Sequence, residues 1–350
     1  MNGMNGQKNR YVSVLKQKAG ELGGVRELAN GVWDNWNPLF ELLGDDDVDP
    51  AVIRQDAIGE LAHSCRNGAM VFVDFDAVNF LTANHIGEIL TGLDQQGLIP
   101  VPVVTISSNQ NVLTAVNTFI AERGHRAGVR LFFNEPGENT AANINALVAA
   151  AGLDIAASHL FIDLEFIDSD YLPTLNAAFH VVVGLLPHLA QWNTTTLVGT
   201  GFPRILEIPG GSNAQLPRTE WEFFNTVRGL FARRVHRLDF GDYAVTNPQL
   251  IENFDPRTMQ VSPKVIYAHD SSWIAYKGRS SRGRGFVETH ALCQALVGRP
   301  EFLGADFSAG DHYISDCAQN IATQGNSMVW KRVGTNHHIT FVADQVANTL

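Results

Sequence analysis

One pattern constrains this chain more than any other. Short β-branched apolar runs recur along it, each followed by a segment of helical length and spacing. The runs are YVSVLK (11–16), AMVFVDFDAV (69–78), VPVVTIS (101–107), GVRLFFNE (128–135), SHLFIDLEFI (158–167), TTTLVGTGF (194–202), VHRLDFGDYAV (235–245) and WIAYKG (273–278). Between them the period lengthens to that of a helix. Val112, Val116, Phe119 and Ile120 recur at helical spacing, and Gly124 ends their run. Asn139 or Thr140 stands where an N-cap belongs, and Gly152 where that helix stops. GELGGVRELANGVWDNW reads as the first helix, weakened by Gly23 and Gly24.

Near-continuous apolar strands separated by helices are parallel strands covered on both faces. Eight such units in 350 residues predict a single α/β domain, a (β/α)8 barrel of TIM type with insertions, over residues 11–350 behind a disordered segment 1–10. The alternative is a doubly wound open parallel sheet. No Rossmann glycine fingerprint follows the first strand, which counts against it. KVIYAHD and WIAYKG read as a hairpin around Asp270-Ser271-Ser272, with the second arm as the eighth barrel strand.

A barrel collects strand C-terminal ends on one face, and active sites lie there. The predicted ends are polar. They offer Lys16 with Glu21, Asp74 with Asp76, Thr105 with Ser107, Asn134 with Glu135, Asp163 with Glu165, and Asp239 with Asp242. Lys277 ends the last strand, and His337 and His338 fall at the predicted start of the closing helix. Unpaired buried carboxylates cost several kcal/mol, so such groups pair or bind something. On the bland reading, Lys16 and Lys277 merely neutralise Asp74, Asp163 and Asp239. On the functional reading, Asp74, Asp163, Glu165, Asp239 and Asp242 supply acid–base groups or hold Mg²⁺ through oxygen, and Lys16 or Lys277 stabilises developing negative charge. His337 and His338 are candidates for acid–base work, but neighbouring helical residues point about 100° apart and rarely share one ion.

The chain carries 25 Lys and Arg against 36 Asp and Glu, a net charge of −11. That argues against general coating of nucleic acid. Against this background RSSRGRG stands out, because Arg279, Arg282 and Arg284 lie among glycines after the predicted eighth strand. Phosphate sites of TIM barrels are frequently built after the last two strands, and guanidinium forks match phosphate oxygens. The alternative is a solvated surface loop; Walker spacing is absent. The letters Asp239-Phe240-Gly241 have no kinase companions and are discounted. Ser308 is a helix cap with Asp311 behind it. Trp221, Trp273 and Trp330 read as packing residues.

Three cysteines, Cys65, Cys293 and Cys317, lack the spacing of a disulfide framework or a zinc site. The N-terminal decapeptide is polar, and no apolar run reaches the roughly 18 residues of a membrane span. A cytoplasmic protein is expected.

YVSVLKQKAGEL, NPLFE (37–41), DFGDYAV, WIAYKGR, FSAGDHYI (307–314) and the run from Trp330 through HHI lie in order along the chain. Together they resemble the beta family of bacterial and phage proteins, named for a phage T4 beta protein. The resemblance implies a role in phage–host conflict without assigning a reaction. It adds weight to Lys16, Glu21, Glu41, Asp239, Asp242, Lys277, Arg279, Asp311, His337 and His338. The family pattern often carries Arg at the position of Lys277. The expectation is therefore a barrel that binds, and hydrolyses or cleaves, a phosphorylated small molecule or nucleotide. Glu21, Glu41, Arg279, Arg282, Arg284 and Asp311 would be its ligand contacts. The alternative is a non-catalytic interaction protein that docks a host or phage protein.

Overall fold

The computed structural model describes residues 10–124, 126–135, 137–231, 234–249, 261–280 and 285–349. The predicted rhythm is realised as a closed barrel of eight parallel strands. In chain order they are β1 (Tyr11–Lys16), β2 (Trp36–Glu41), β3 (Met70–Asp74), β4 (Ile99–Val104), β5 (Gly128–Phe132), β6 (His159–Phe166), β7 (Thr194–Thr200) and, past one strand of another sheet, β9 (Leu238–Asp242). Closure of β9 onto β1, Tyr11 opposite Phe240, excludes the open-sheet alternative.

Every second residue of a strand faces one side. Val12, Val14, Leu39, Phe72, Val101, Val103, Phe161, Val198 and Tyr243 fill the barrel interior. Residues of the other parity, such as Tyr11, Leu15, Phe40, Val71, Val73, Leu160 and Ile162, pack outward under the helices. These include α1 (Ala19–Arg26), α2 (Pro50–Ser64), α3 (Ala83–Gln95), α4 (Gln110–Arg123), α5 (Thr140–Ala150), α6 (Leu172–Leu185) and α7 (Thr219–Phe231). Asp49 caps α2, Thr82 caps α3 and Asn109 caps α4, each accepting a backbone N–H of the first turn.

Two assignments made from sequence are corrected. The eighth strand predicted at 273–278 is not in the barrel. It is β11 (Ser272–Lys277), the central strand of an antiparallel sheet with β8 (Ser212–Pro217) and β10 (Lys264–His269). The predicted hairpin of β10 and β11 is present. Its second arm reads as a barrel strand because both its faces are buried, Ile274 and Tyr276 in one core and Trp273 in another. The missing barrel strand is β2, of which the first helical run took Trp36 and the rest was assigned to no element. α1 stops at Arg26, and Pro38 sits opposite Ser13 in the β1–β2 register. A proline inside a run argues against a central strand, and here that rule misleads.

Both insertions after the last barrel strands thus build a second layer at the barrel's C-terminal end. α8 (Thr289–Val297), α9 (Ala309–Ala318) and the start of α10 (Ser327–Thr349) pack on β10 and β11 through Cys293, Leu296, Ile314, Cys317, Trp330 and Val333. Further along, α10 turns Ile339, Val342, Ala343 and Val346 into the barrel's own shell. Among the described residues no helix is long and apolar enough to cross a membrane. Residues 1–9 of the segment expected to be disordered, and Arg282 and Arg284, lie outside the described residues.

Candidate functional site

The inward parity ends each strand on a residue at the barrel mouth. Lys16, Glu41, Asp74, Thr105, Phe132, Asp163, Thr200 and Tyr243 close the series 12-14-16, 37-39-41, 70-72-74, 101-103-105, 128-130-132, 159-161-163, 196-198-200 and 239-241-243. Arg130, one step inside on β5, organises this ring. It is 2% exposed. Its Nε donates to Asp163 Oδ2 at 2.8 Å and its Nη1 to Asp74 Oδ2 at 2.7 Å. Its Nη2 donates to Glu41 Oε1 at 3.0 Å and to the Tyr243 hydroxyl at 2.8 Å. Tyr243 passes its own proton to Asp163 Oδ2 at 2.7 Å.

The second oxygens of the two aspartates are also engaged, while Glu41 is partly exposed to water. Asp74 Oδ1 accepts from the Asp76 amide and Asp163 Oδ1 from the Glu165 amide, both at 2.9 Å. The mouth is therefore a satisfied network of one guanidinium and three carboxylates. Burial pushes the Glu41 carboxyl up, opposed by Arg130. Glu135 and Glu165, half-buried on the rim, are pushed up chiefly by burial. Glu165 sits at φ 54, a left-handed conformation uncommon for a non-glycine residue. Asp76 accepts from the Ser107 hydroxyl at 3.1 Å. Asp74 and Asp163 converge on Arg130, and among the described residues no group of three or more His, Cys, Asp or Glu side chains is arranged to hold a metal.

Beside this ring, the loops after β7, β9 and β1 enclose a cavity of about 380 Å³, roofed by β10 and the first turns of α10. Lys16, Lys18, Arg204, Lys264 and Lys331 line it, with Glu21 as the one lining carboxylate among the described residues. Phe202, Leu206, Ile266, Phe286 and Trp330 supply an apolar wall. Lys16 is 7% exposed, and among the described residues its Nζ reaches the Pro248 carbonyl alone, at 3.4 Å. Burial holds the Lys16 ammonium below its ordinary range, against the pull of Glu41 and Glu21. Glu21 is fixed by the Lys16 amide at 2.6 Å and the Thr246 hydroxyl at 3.0 Å.

The remaining predicted residues lie elsewhere. Asp239 is at the opposite, N-terminal end of β9, bound by Arg237 at 2.7 Å and the Arg10 amide at 3.0 Å. Asp242 has the outward parity. It accepts from the Tyr11 hydroxyl at 2.5 Å and the Ala244 amide at 2.8 Å, and pairs with His338 Nε2 at 2.7 Å. His337 and His338 lie mid-helix, because α10 begins ten residues before them. Their side chains diverge as helical geometry demands. His338 meets the barrel, and His337 meets Asp311 at 2.9 Å and the Ala268 carbonyl at 2.8 Å. Asp311 also accepts from Tyr267 at 2.8 Å behind the Ser308 cap. These groups join α10 to both sheets and do not line the cavity.

Lys277, on β11, donates to the Leu206 carbonyl at 2.8 Å. Arg279 is exposed and pairs with Glu288 at 3.1 Å. Sequence reasoning missed Arg130 and Tyr243, and the cavity residues Lys18, Arg204, Lys264 and Lys331. Arg130 had a signal, since it is a charge of inward parity inside the apolar run GVRLFF.

A family model described as Beta protein matches residues 11–344. No curated protein matches the chain by sequence. Among solved structures, the apo form of a 3-keto-D-glucoside 4-epimerase from E. coli is similar at 11% identity, covering 71% of this chain and 95% of that one, with a TM-score of 0.31. A xylose isomerase-like TIM barrel/4-hydroxyphenylpyruvate dioxygenase fusion protein is similar at 11% identity over 67% of this chain and 39% of that one, with a TM-score of 0.30.

Proposed function

The chain belongs to the Beta protein family, and from that premise we propose that it binds a phosphorylated small molecule or nucleotide in the cavity beside the barrel mouth. One observation carries this reading. Five cationic side chains line one cavity of a chain whose net charge is −11, with Lys16 buried and Lys331 half-buried at its wall and Lys18, Arg204 and Lys264 on its exposed rim. Like charges brought together in a partly desolvated space repel, and an anion relieves that cost. Arg130 cannot serve, because its donors are spent on Glu41, Asp74 and Asp163. The five cations of the cavity share one lining carboxylate, Glu21, among the described residues.

The position agrees with the chemistry. The cavity is walled by the loops after the seventh and eighth barrel strands, where barrels commonly hold phosphate. This reading puts the anion on Lys16, Lys18, Arg204, Lys264 and Lys331 rather than on the loop expected from sequence, of which Arg279 is paired with Glu288 and Arg282 and Arg284 lie outside the described residues. The apolar wall suits a ring or carbon skeleton attached to the phosphate. Calorimetry with inorganic phosphate, AMP and adenosine tests the reading. Phosphate and AMP should bind and adenosine should not, and Lys264→Gln with Arg204→Gln should weaken binding at least about tenfold, one such step being 1.4 kcal/mol. Equal binding of AMP and adenosine, or of AMP to the double variant, would sink it.

A further inference from the structure

Resting on that reading of the cavity, we propose that Lys331 is a carbonyl-capturing amine, forming an imine with an aldehyde or ketone group of the phosphorylated ligand. The supporting geometry is a relay along one wall. Lys331 Nζ donates to the Val245 carbonyl at 2.8 Å and to Thr246 Oγ1 at 3.1 Å. Thr246 Oγ1 donates to Glu21 Oε1 at 3.0 Å. Lysine, threonine and glutamate all line the cavity. An amine, a hydroxyl and a carboxylate thus stand in the order that moves a proton off the nitrogen.

The surroundings ease loss of a proton from the ammonium. Burial lowers the Lys331 ammonium from its ordinary range, and the charges of Lys264, Lys16 and Lys18 lower it further, with Glu21 opposing. Lysines are made nucleophilic by desolvation and by neighbouring cations. The stem is also held in place. A Cβ at Gly20 would come within 2.8 Å of Lys331 Cγ, so α1 presses its glycine against that side chain.

The step balances without an added reactant. Glu21 takes one proton from the Lys331 ammonium through Thr246. The nitrogen lone pair adds to the carbonyl carbon, and a proton moves from nitrogen to the carbonyl oxygen. Glu21 returns its proton to that hydroxyl, the C–O bond breaks and water leaves. The products are a protonated imine and one water, with Glu21 again ionised. Lys16, Lys18 and Arg204 hold the phosphate meanwhile.

The test uses the full chain and pyridoxal 5′-phosphate, a phosphorylated aldehyde. Borohydride reduction fixes any imine, and peptide mass spectrometry locates it. Lys331 should carry most of the label, inorganic phosphate should compete, and pyridoxal without phosphate should label weakly. Lys331→Arg should lose the label. Thr246→Val keeps every charge and breaks only the relay, so it should slow labelling at least about tenfold while inorganic phosphate still binds in calorimetry. Label spread over Lys18, Lys264 and surface lysines, and unchanged in Lys331→Arg, overturns the imine. An unchanged rate in Thr246→Val overturns the relay. If phosphate binds but Lys331 is unlabelled, the imine alone fails. If neither phosphate nor pyridoxal 5′-phosphate binds the parent chain, the anion-site reading fails and takes the imine with it.

Discussion

Arg130 decides what the barrel mouth is. A lone arginine in an apolar strand run looked like an ordinary β5 residue, yet it satisfies Asp74, Asp163 and Glu41 at once. Removing one partner of a buried ionic network leaves the others uncompensated, at about 3–5 kcal/mol. Arg130→Met should therefore lose about that much in urea unfolding, and adding Asp74→Asn and Asp163→Asn should recover part of it. A loss under about 1 kcal/mol would mean that the carboxylates find water instead. Two other buried groups should show themselves through pH. Burial pushes Glu220 up to about 7, opposed by Arg218, while burial and Arg237 push His159 down to about 3. From about pH 4.5 to 7 the unfolded chain ionises a carboxyl that the folded chain keeps protonated, so stability falls as pH rises. From about pH 6.5 down to 3 the unfolded chain protonates an imidazole that the folded chain keeps neutral, so stability falls as pH drops. The two slopes oppose each other between about pH 4.5 and 6.5, each at most about 1.4 kcal/mol per pH unit. Relative to the parent, Glu220→Gln should gain stability more steeply with rising pH in that window and His159→Gln less steeply, as read from urea midpoints. Parallel pH profiles in all three chains would contradict the assignment.

At the level of elements, the alternation of strand and helix was legible because each barrel strand is buried on both faces and each helix on one. The same criterion produced both errors. β11 is buried on both faces between two small cores, so its apolar run matches a barrel strand although its neighbours are antiparallel. β2 was lost because Pro38 lies inside it and a helix-like run leads into it, although it pairs in parallel with the strands on either side of it in sequence, β1 and β3. The glycines of α1 are informative in the same way. They seemed to weaken a helix, yet they let α1 lie against α10. A Cβ at Gly24 would come within 2.9 Å of the Arg332 carbonyl oxygen and of Thr335 Cβ. Gly59, inside α2, would meet nothing within 4 Å. Gly24→Ala should then destabilise by about 1–3 kcal/mol through overpacking. Gly59→Ala should stabilise by up to about 1 kcal/mol through helix propensity. Thermal unfolding of the two variants side by side checks the crossing, and equal shifts of the same sign would refute it.

At the scale of the whole molecule, the barrel could be read from the sequence, as could Lys16 and Glu21 as polar residues at and after the end of its first strand, but not the other charged residues that share a cavity with them. The architecture led to the expectation of an anion site after the last two barrel strands. The cations that line the cavity proposed for it, however, come from Lys16 near one end of the chain and Lys331 near the other, with Lys18, Arg204 and Lys264 between. No local pattern brings such residues together; the inserted sheet and α10 do, by folding over the barrel's C-terminal end. A site assembled this way carries a stability cost in the absence of its ligand. Lys16 shows it most directly, since burial dominates its environment and the hydrogen bond its Nζ makes among the described residues, to Pro248, is long. Lys16→Met keeps the linear stem and removes the charge. The variant should be more stable than the parent in phosphate-free buffer, by on the order of 1 kcal/mol, a gain typical of relieving a functional site. Phosphate should stabilise it less than it stabilises the parent, because stabilisation by a ligand follows its affinity for the folded chain. Thermal midpoints of both chains across a phosphate series would show two lines that converge or cross as phosphate rises. Parallel lines would mean that Lys16 senses no anion, and a less stable variant in phosphate-free buffer would mean that its charge serves the fold.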